Sequence, residues 1–300
     1  MRQEVTISDD GWIFDLMLNR PNWEGKNGRD YLIEHGIIPV KRPEVPMVHL
    51  SKEGFYGVNQ QVPLNRTIFI RIESPFIMAD VHAPGVANGY MAVLTYGHYG
   101  ESYGFNEPQD YGWFHKYFDS PREELLCLLS RDRASGGPKF KGIEQRSLRR
   151  ELVSFFDDKL GDRFHSYGRG WTNKGYKGYA KPYNAKFEII SRYKFNIAVE
   201  GERYNGRITE KIFQAMACGS IPIYQGPRDI DKYIPNDCYL DLREYDLEDL
   251  YEKIINMSEE EREEYRGRIK DFLMSERADV FSSVQMAKVI EKIIREKFVM

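Results

Sequence analysis

The chain has few cysteines, and they do not form metal or redox motifs. Cys127, Cys218 and Cys238 are the three, and no two of them make a CxxC pair. Two of them stand inside apolar runs, which is typical of buried free thiols in a reducing compartment. The six histidines also lack zinc-site spacing. These patterns argue against a disulfide scaffold and against a zinc domain.

Long apolar runs are also missing. No run approaches the roughly 20 apolar residues of a membrane-spanning helix. The first residues, MRQEVTISDDGW, contain no apolar signal core. Apart from any membrane stem that has been removed, we therefore expect a soluble, cytoplasmic protein without a transmembrane segment in this chain.

An excess of positive charge is absent as well. Lys and Arg number 43 against 46 Asp and Glu, and the net charge is −3. Surfaces that follow a polyanion need clustered cations, so nucleic acid is not an expected partner. A phosphate-bearing small molecule needs only two or three cations. Gly136 and Gly137 make no P-loop, because no GK[ST] follows, and no GxSxG elbow occurs.

Strands and helices alternate along much of the sequence. We predict strands at 67–72, 91–96, 124–130, 164–167, 195–199, 221–224 and 239–242, and helices at 144–157, 186–193 and 209–218. The polar segment 97–112, rich in Gly and Tyr, predicts a loop. Such alternation predicts an α/β fold, with a parallel sheet covered by helices on both faces.

The length of 300 residues is near that at which one hydrophobic core divides into two. We predict an N-terminal domain at 1–119. A second domain at 120–280 is predicted to bind the ligand. The last helix, within 281–300, has an apolar stripe and is expected to pack back on the first domain.

The segment from Tyr193 to Gly226 holds the most informative chemistry. It predicts a strand, a loop, a helix and a strand, and ligands of parallel α/β sheets bind beyond the carboxyl ends of the strands. Thr209 is a good N-cap, whose hydroxyl would accept a backbone amide. Lys211 in the first turn opposes the helix dipole unless it faces an anion such as a diphosphate. The alternative is an ordinary first-turn Glu210 beside a solvated lysine.

This segment resembles the donor-binding signature of the family-10 fucosyltransferases. The matching pieces are YKFN at 193–196, Glu200, ITEKIF at 208–213 and GSIPIYQG at 219–226. A wider similarity, from about Leu125 to Tyr251, includes an arginine near a helix start and a Tyr-Gly pair. The combined motif is much more specific than any of its pieces.

The resemblance implies a GT-B fold, in which two Rossmann-like domains face each other across a cleft. The N-terminal one, at 1–119, would lie on the acceptor side, and the C-terminal one, at 120–280, would bind the nucleotide sugar. It implies inverting transfer of a sugar from a nucleotide-sugar donor, GDP-fucose in the family, to a glycan hydroxyl. Lys211 would contact the diphosphate, Glu210 the ribose or sugar hydroxyls, and Arg146 the phosphates. The full set of predicted donor-binding residues is Arg146, Tyr167, Glu200, Arg207, Thr209, Glu210 and Lys211.

Two residues depart from the family pattern. Gly201 replaces an asparagine, and Arg207 replaces an aromatic residue. The extra cation would add a phosphate contact or indicate a different donor sugar. One alternative is therefore a transferase that uses another nucleotide sugar, such as a UDP-pentose or UDP-hexose. Another alternative is a catalytically silent protein that retains the fold and binds a glycan or nucleotide.

The N-terminal half resembles the family in RIESP at 71–75, LTY at 94–96 and YGW at 111–113, although the family's RRDSD portion is absent. Inverting transfer needs a carboxylate that takes the acceptor's proton. We predict Glu73, at the end of a strand, as this base, with Glu101 and Asp110 in reserve. A loop carboxylate that binds local amides is the alternative for Glu73.

A metal is not expected to take part. Asp229 and Asp231 form a DxD motif, which holds a metal in another transferase fold. Here the motif follows the IPIY strand, in a stretch that the family fills with residues that are not ligands. No metal site and no required cofactor are therefore predicted beyond the nucleotide-sugar donor.

Overall fold

Two parallel β-sheets with packed helices make up the computed structural model of the protein. It describes residues 4–9, 13–40, 48–52, 62–72, 78–96, 103–133, 142–181 and 184–298. By compactness the chain divides into two units, Met1–Gly112 with Asp279–Met300, and Trp113–Ala278. The α/β class expected from the alternation of strands and helices is confirmed.

The described strands and helices follow one another along the chain. The strands are β1 Val5–Asp9, β2 Ile37–Pro39, β3 Val48–Lys52, β4 Thr67–Arg71, β5 Ala92–Tyr96, β6 Tyr103–Phe105, β7 Glu124–Leu129, β8 Phe164–Tyr167, β9 Tyr193–Val199, β10 Ile221–Gln225 and β11 Leu240–Asp241. The helices are α1 Gly28–Glu34, α2 Phe114–Tyr117, α3 Arg146–Leu160, α4 Ala185–Ile190, α5 Glu210–Ala217, α6 Leu247–Asn256, α7 Glu259–Leu273, α8 Glu276–Asp279 and α9 Ser283–Lys297.

The first unit contains a six-stranded sheet in the order β2-β1-β3-β4-β5-β6, with every pair parallel. Buried strand residues such as Ile7, Leu50 and Ile68 form its core together with the apolar face of α9. Strand β6 lies inside the segment that was predicted to be a loop, and that prediction was wrong. Three residues are too few to show the alternation that indicates a strand. Pairing with β5 in the folded sheet stabilises this strand.

Helix α9 belongs to this first unit and packs against α1. Ile290, Ile293 and Ile294 are fully buried, as the apolar stripe indicated. At the start of both helices the Gly28 amide donates to Ser283 Oγ at 2.8 Å. One turn further along α1, Tyr31 Oη donates to Glu291 Oε2 at 2.7 Å. Polar bonds and apolar burial together therefore fix the register of the two helices.

The second unit contains a five-stranded sheet in the order β11-β10-β9-β7-β8, again with every pair parallel. Leu152 and Phe156 of α3 are buried against it, and Ile212 of α5 is buried as well. Strands β7, β9 and β10 are apolar over nearly their whole length, because parallel strands are covered on both faces. Their carboxyl ends all lie at one edge of the sheet.

Several predicted boundaries in this unit differ by one to three residues from the observed ones, and one of these differences changes the kind of element. Residues 191–193 were assigned to a helix, but α4 ends at Ile190 and β9 begins at Tyr193. Tyr193 is fully buried and pairs with Glu124 of β7. This residue therefore belongs to strand β9 and not to the preceding helix. Among the described residues, no helix is long and apolar enough to cross a bilayer.

The packing of α9 on α1 predicts opposite effects for two glycine substitutions. A Cβ at Gly28 would stand 2.2 Å from the Ser283 carbonyl oxygen, whereas one at Gly267 of α7 would meet nothing within 4 Å. Gly28→Ala should destabilise the protein by about 1–3 kcal/mol, because the helices must separate. Gly267→Ala should stabilise it by up to about 1 kcal/mol. Thermal unfolding of both variants is the measurement, and equal shifts would contradict the close approach.

Candidate functional site

Glu200 stands directly beyond the carboxyl end of β9, between two neighbouring strands of the sheet. Its amide continues the sheet by donating to the Gln225 carbonyl at 2.9 Å. Its side chain is fully buried. A carboxylate without access to water needs hydrogen-bond donors around it, since burying an unpaired charge is very costly. The structure therefore has to supply those donors from nearby elements.

Four donors surround the Glu200 carboxylate. The Thr209 amide donates to Oε1 at 2.9 Å, and Thr209 Oγ1 donates to Oε2 at 2.7 Å. Lys211 Nζ lies 3.3 Å from Oε2, and Tyr224 Oη donates to Oε1 at 3.4 Å. Thr209 is the N-cap residue of α5, but its hydroxyl makes no cap bond to the helix. The predicted capping role of this hydroxyl was wrong, because the buried carboxylate competes for it.

Lys211 is held in place by three oxygen atoms. Besides Glu200, its Nζ donates to Thr209 Oγ1 at 2.9 Å and to Glu210 Oε1 at 3.3 Å. Burial alone would lower the pKa of Lys211, but Glu200 and Glu210 raise the pKa above its ordinary value. The side chain of Lys211 is 23% exposed to solvent. Lys211 therefore carries a charged, oriented ammonium group on a side chain that is still partly exposed.

Glu210 is ionised beside this lysine. Burial would raise the pKa of Glu210, but the nearby Lys211 and Lys186 lower it well below its usual range. Burial lowers the pKa of Lys186, which Glu210 partly opposes. The first turn of α5 supplies Lys211 and Glu210, and Lys186 of α4 interacts with Glu210. These charges lie at a helix N-terminus, where backbone amides and the helix dipole favour anions.

Arg149 adds a buried guanidinium that the sequence analysis missed. Its Nε and Nη2 donate to the Val199 carbonyl at 3.0 and 2.6 Å, and Nη1 donates to Ser130 Oγ at 2.9 Å. Burial lowers the pKa of Arg149, and Glu200 and Glu210 oppose that shift. The sequence did contain a signal for a buried arginine. Arg149 precedes the apolar Leu152 by three positions, which places both residues on the same face of α3. A charge on an inward helix face indicates a buried partner.

Arg146, predicted to contact phosphates, is the first residue of α3 and is half-buried. Its backbone amide donates to Glu144 Oε2 at 2.9 Å. Its charge lowers the pKa of Arg149, so the two guanidinium groups lie near each other. Arg149, one turn later, is the one that reaches the end of β9.

Arg207 forms an ion pair with Glu202 within the loop that joins β9 to α5. Arg207 Nη1 lies 3.1 Å from Glu202 Oε1, and both side chains are buried, with exposures of 9% and 3%. The loop is also tied to the DxD segment, because the Gly206 amide donates to Asp229 Oδ1 at 3.0 Å. Asp229 therefore helps to shape the loop. Among the described residues, no group of three or more His, Cys, Asp and Glu could hold a metal ion.

Tyr167 belongs to a different set of contacts from the cluster around Glu200. Its hydroxyl lies 2.8 Å from the Tyr193 hydroxyl, which lies 2.7 Å from His165 Nδ1. Burial raises the pKa of Tyr167. The structure therefore brings Glu200, Thr209, Glu210 and Lys211 into direct contact, whereas the Tyr167 hydroxyl is held in a buried polar chain.

The predicted base and its first reserve, Glu73 and Glu101, lie outside the described residues. Asp110, the second reserve, is half-buried, and its Oδ1 accepts the Gly112 amide at 3.0 Å. The described part of the candidate site is thus a charged cluster at the N-terminus of α5 in the second unit, where the helix dipole would favour an anion.

Part of the chain is similar in sequence to known fucosyltransferases. Residues 142–288 match the model of glycosyltransferase family 10 (fucosyltransferase), C-terminal part. A fucosyltransferase-like protein of Arabidopsis thaliana is 37% identical over 59 residues, which is 19% of this chain and 12% of that protein. The 4-galactosyl-N-acetylglucosaminide 3-alpha-L-fucosyltransferase 9 of Homo sapiens is 24% identical over 192 residues, 61% of this chain and 46% of that protein. The chain thus spans less than half the length of these curated relatives.

A solved structure shares the overall fold. The crystal structure of an alpha1,3-fucosyltransferase with GDP-fucose aligns with 98% of this chain and 91% of its own, at a TM-score of 0.56 and 14% identity. This likeness shows the fold alone. The GT-B fold implied by the sequence resemblance is thereby confirmed.

The burial of Glu200 predicts a large effect of removing its charge. Glu200→Gln keeps the size but replaces an acceptor oxygen by a donor group, which leaves Thr209 or Lys211 without its partner. We expect a loss of about 2–4 kcal/mol in the free energy of unfolding. The control is Glu248→Gln, whose carboxylate is 61% exposed at 2.8 Å from Lys159 and should matter by less than about 1 kcal/mol. Chemical denaturation compares the two, and equal losses would contradict the organising role of Glu200.

Proposed function

We propose that this chain, whose residues 142–288 match the family-10 fucosyltransferase model, is a glycosyltransferase that moves L-fucose from GDP-fucose to a glycan hydroxyl. The observation that supports this most directly is the cluster at the start of α5. There Glu200 orients Thr209 and Lys211, and the side chain of Lys211 remains 23% exposed. An oriented cation at a helix N-terminus is suited to a diphosphate.

The departing diphosphate would be neutralised by protein cations. In the proposed step the acceptor oxygen attacks the anomeric carbon, and the bond from that carbon to the phosphate oxygen breaks. The electron pair leaves with the nucleoside diphosphate, and the acceptor's proton passes to a carboxylate. Lys211 and Lys186 carry positive charge beside Glu210 in the first turn of α5. The guanidinium of Arg149 interacts with Glu200 and with the same Glu210. Fixed cations that meet developing negative charge lower the barrier.

The way in which Arg207 is held removes one reason for expecting a sugar other than fucose. This arginine was the departure that suggested a different donor. It pairs at 3.1 Å with Glu202, which is also buried, so the pair adds little net charge to the donor site. The alternative donors are a UDP-pentose and a UDP-hexose. Comparing the binding of GDP with that of UDP tests them.

Lys211→Ala should weaken binding of GDP about 10- to 150-fold, the effect of one charge-assisted hydrogen bond. Isothermal titration calorimetry with GDP and UDP, each with and without a chelator, measures this affinity. We expect GDP to bind more tightly than UDP and the chelator to change neither affinity. Lys270→Ala, which removes an exposed lysine of α7 in the same unit, is the matched control. An unchanged dissociation constant in Lys211→Ala would remove this lysine from the site.

Glu73→Gln should lower kcat by about 10²–10⁴-fold while GDP binds as before, because the amide cannot take the acceptor's proton. Initial rates with GDP-fucose and a glycan acceptor measure the effect, and Glu101→Gln and Asp110→Asn are compared in parallel. Wild-type turnover in Glu73→Gln would assign the base elsewhere. A wild-type protein that binds GDP and transfers no sugar would support the silent alternative.

A further inference from the structure

Residues 168–181, which we call the basic aromatic loop, combine positive charge with aromatic rings. The segment GRGWTNKGYKGYAK contains four cations, three aromatic rings and no acidic residue. The whole chain has a net charge of −3, so this stretch is a local concentration of the opposite sign. Its cations, Arg169, Lys174, Lys177 and Lys181, are all exposed.

The backbone of the basic aromatic loop is tied down along its length. Asp157 of α3 accepts the Asn173 side chain at 2.8 Å and the amides of Lys174 and Gly175 at 3.0 and 2.7 Å. Further on, the loop pairs with the edge strand β8, because Lys177 donates its amide to the Ser166 carbonyl at 3.0 Å. A surface segment fixed in this way loses little conformational entropy when it binds a ligand.

Two aromatic rings of this segment face solvent. Tyr176 is 37% exposed and Tyr179 is 47% exposed. The guanidinium of Arg169 lies 4.8 Å from the centre of the Tyr179 ring, and Lys181 Nζ lies 5.4 Å from it. The loop thus presents a flat apolar ring with a polar hydroxyl, flanked by two positive charges. Such a ring stacks on the apolar face of a sugar, while the cations attract anionic substituents.

The basic aromatic loop begins at the edge of the sheet that also holds the cluster around Glu200. It follows β8, which is separated from β9 by one strand, β7. Two strand spacings amount to about 10 Å. At the end of β7, Trp171 Nε1 donates to the Ser130 carbonyl at 2.6 Å, and Ser130 Oγ accepts from Arg149 at 2.9 Å. The loop and the proposed donor site therefore share one structural support.

We propose that the basic aromatic loop is a binding site for an anionic glycan, a saccharide that carries carboxylate or phosphate groups. The inference rests on the proposed function, since it names the chemical class of the acceptor. Stacking on Tyr179 recognises the sugar ring, and Lys177 and Lys181 recognise the anionic groups. Its exposed rings are tyrosines with polar hydroxyls, which suit a hydrated saccharide better than a bilayer interior.

The test measures binding of matched charged and neutral saccharides by calorimetry. One pair is a galacturonic acid trimer and its methyl ester, and the other is a mannose 6-phosphate-containing pentasaccharide and its dephosphorylated form. We expect one charged member to bind at least about tenfold more tightly than its neutral partner, with the preference reduced by salt. The galacturonate pair reports carboxylate recognition, and the mannose pair reports phosphate recognition.

Variants of the basic aromatic loop assign the binding to it. Tyr179→Ala should weaken binding of the preferred probe about tenfold, and so should the double variant Lys177→Gln with Lys181→Gln. The matched control is Lys232→Gln with Lys270→Gln, which removes two exposed lysines elsewhere in the same unit. All of these residues are on the surface, so the unfolding temperature should stay unchanged.

Several results would overturn the proposal. Equal affinity for charged and neutral probes would do so, as would losses in the loop variants no greater than in the control. Tighter binding to phosphatidylserine vesicles than to either charged saccharide would indicate a membrane surface instead. Titration of GDP on the same samples separates the two hypotheses, because normal GDP binding without saccharide binding removes the loop's role alone. Absent GDP binding would count against the proposed transferase.

Discussion

The carboxylate of Glu200 lies out of reach of solvent, and the local structure follows from the need to satisfy it. Its donors come from the loop end, the helix start and the neighbouring strand, through Thr209, Lys211 and Tyr224. Each bond fixes one element relative to β9. The N-terminus of α5 is therefore positioned by a buried charge as well as by apolar packing, and Lys211 is oriented without a ligand.

Charge balance explains how several cations remain close together before an anion arrives. Glu200 and Glu210 attract Lys211 and Arg149, and Glu202 pairs with Arg207. The attraction outweighs the effect of burial on the pKa of Lys211 and offsets part of it for Arg149. A diphosphate would bring further negative charge to cations already in place, so little reorganisation is needed when it binds. The exposed cations of the basic aromatic loop differ, since Arg169 and Lys181 lie beside a tyrosine ring, 4.8 and 5.4 Å from its centre, in place of a buried carboxylate.

Prediction from sequence succeeded where the residues that form an element or a cluster lie close together in the chain. Strands β7, β9 and β10 are apolar runs because both faces of a parallel sheet are covered. Glu200, Thr209 and Lys211 lie within a dozen residues of one another and meet around one strand end. The three-residue strand β6 was missed because it is too short to show a periodicity. Arg149 was missed because its partners, the Val199 carbonyl and Ser130, are distant in sequence.

The sequence by itself determined the alternation of strands and helices, the α/β class and the charged first turn of α5, since these depend on neighbouring residues. Only the tertiary structure decided that Glu200 is buried, that Arg149 reaches the end of β9 and that the Tyr167 hydroxyl bonds to Tyr193. Those outcomes depend on which strand ends lie side by side in the sheet. Parallel pairing joins residues tens of positions apart, and the cost of burying a charge then selects the partners that meet.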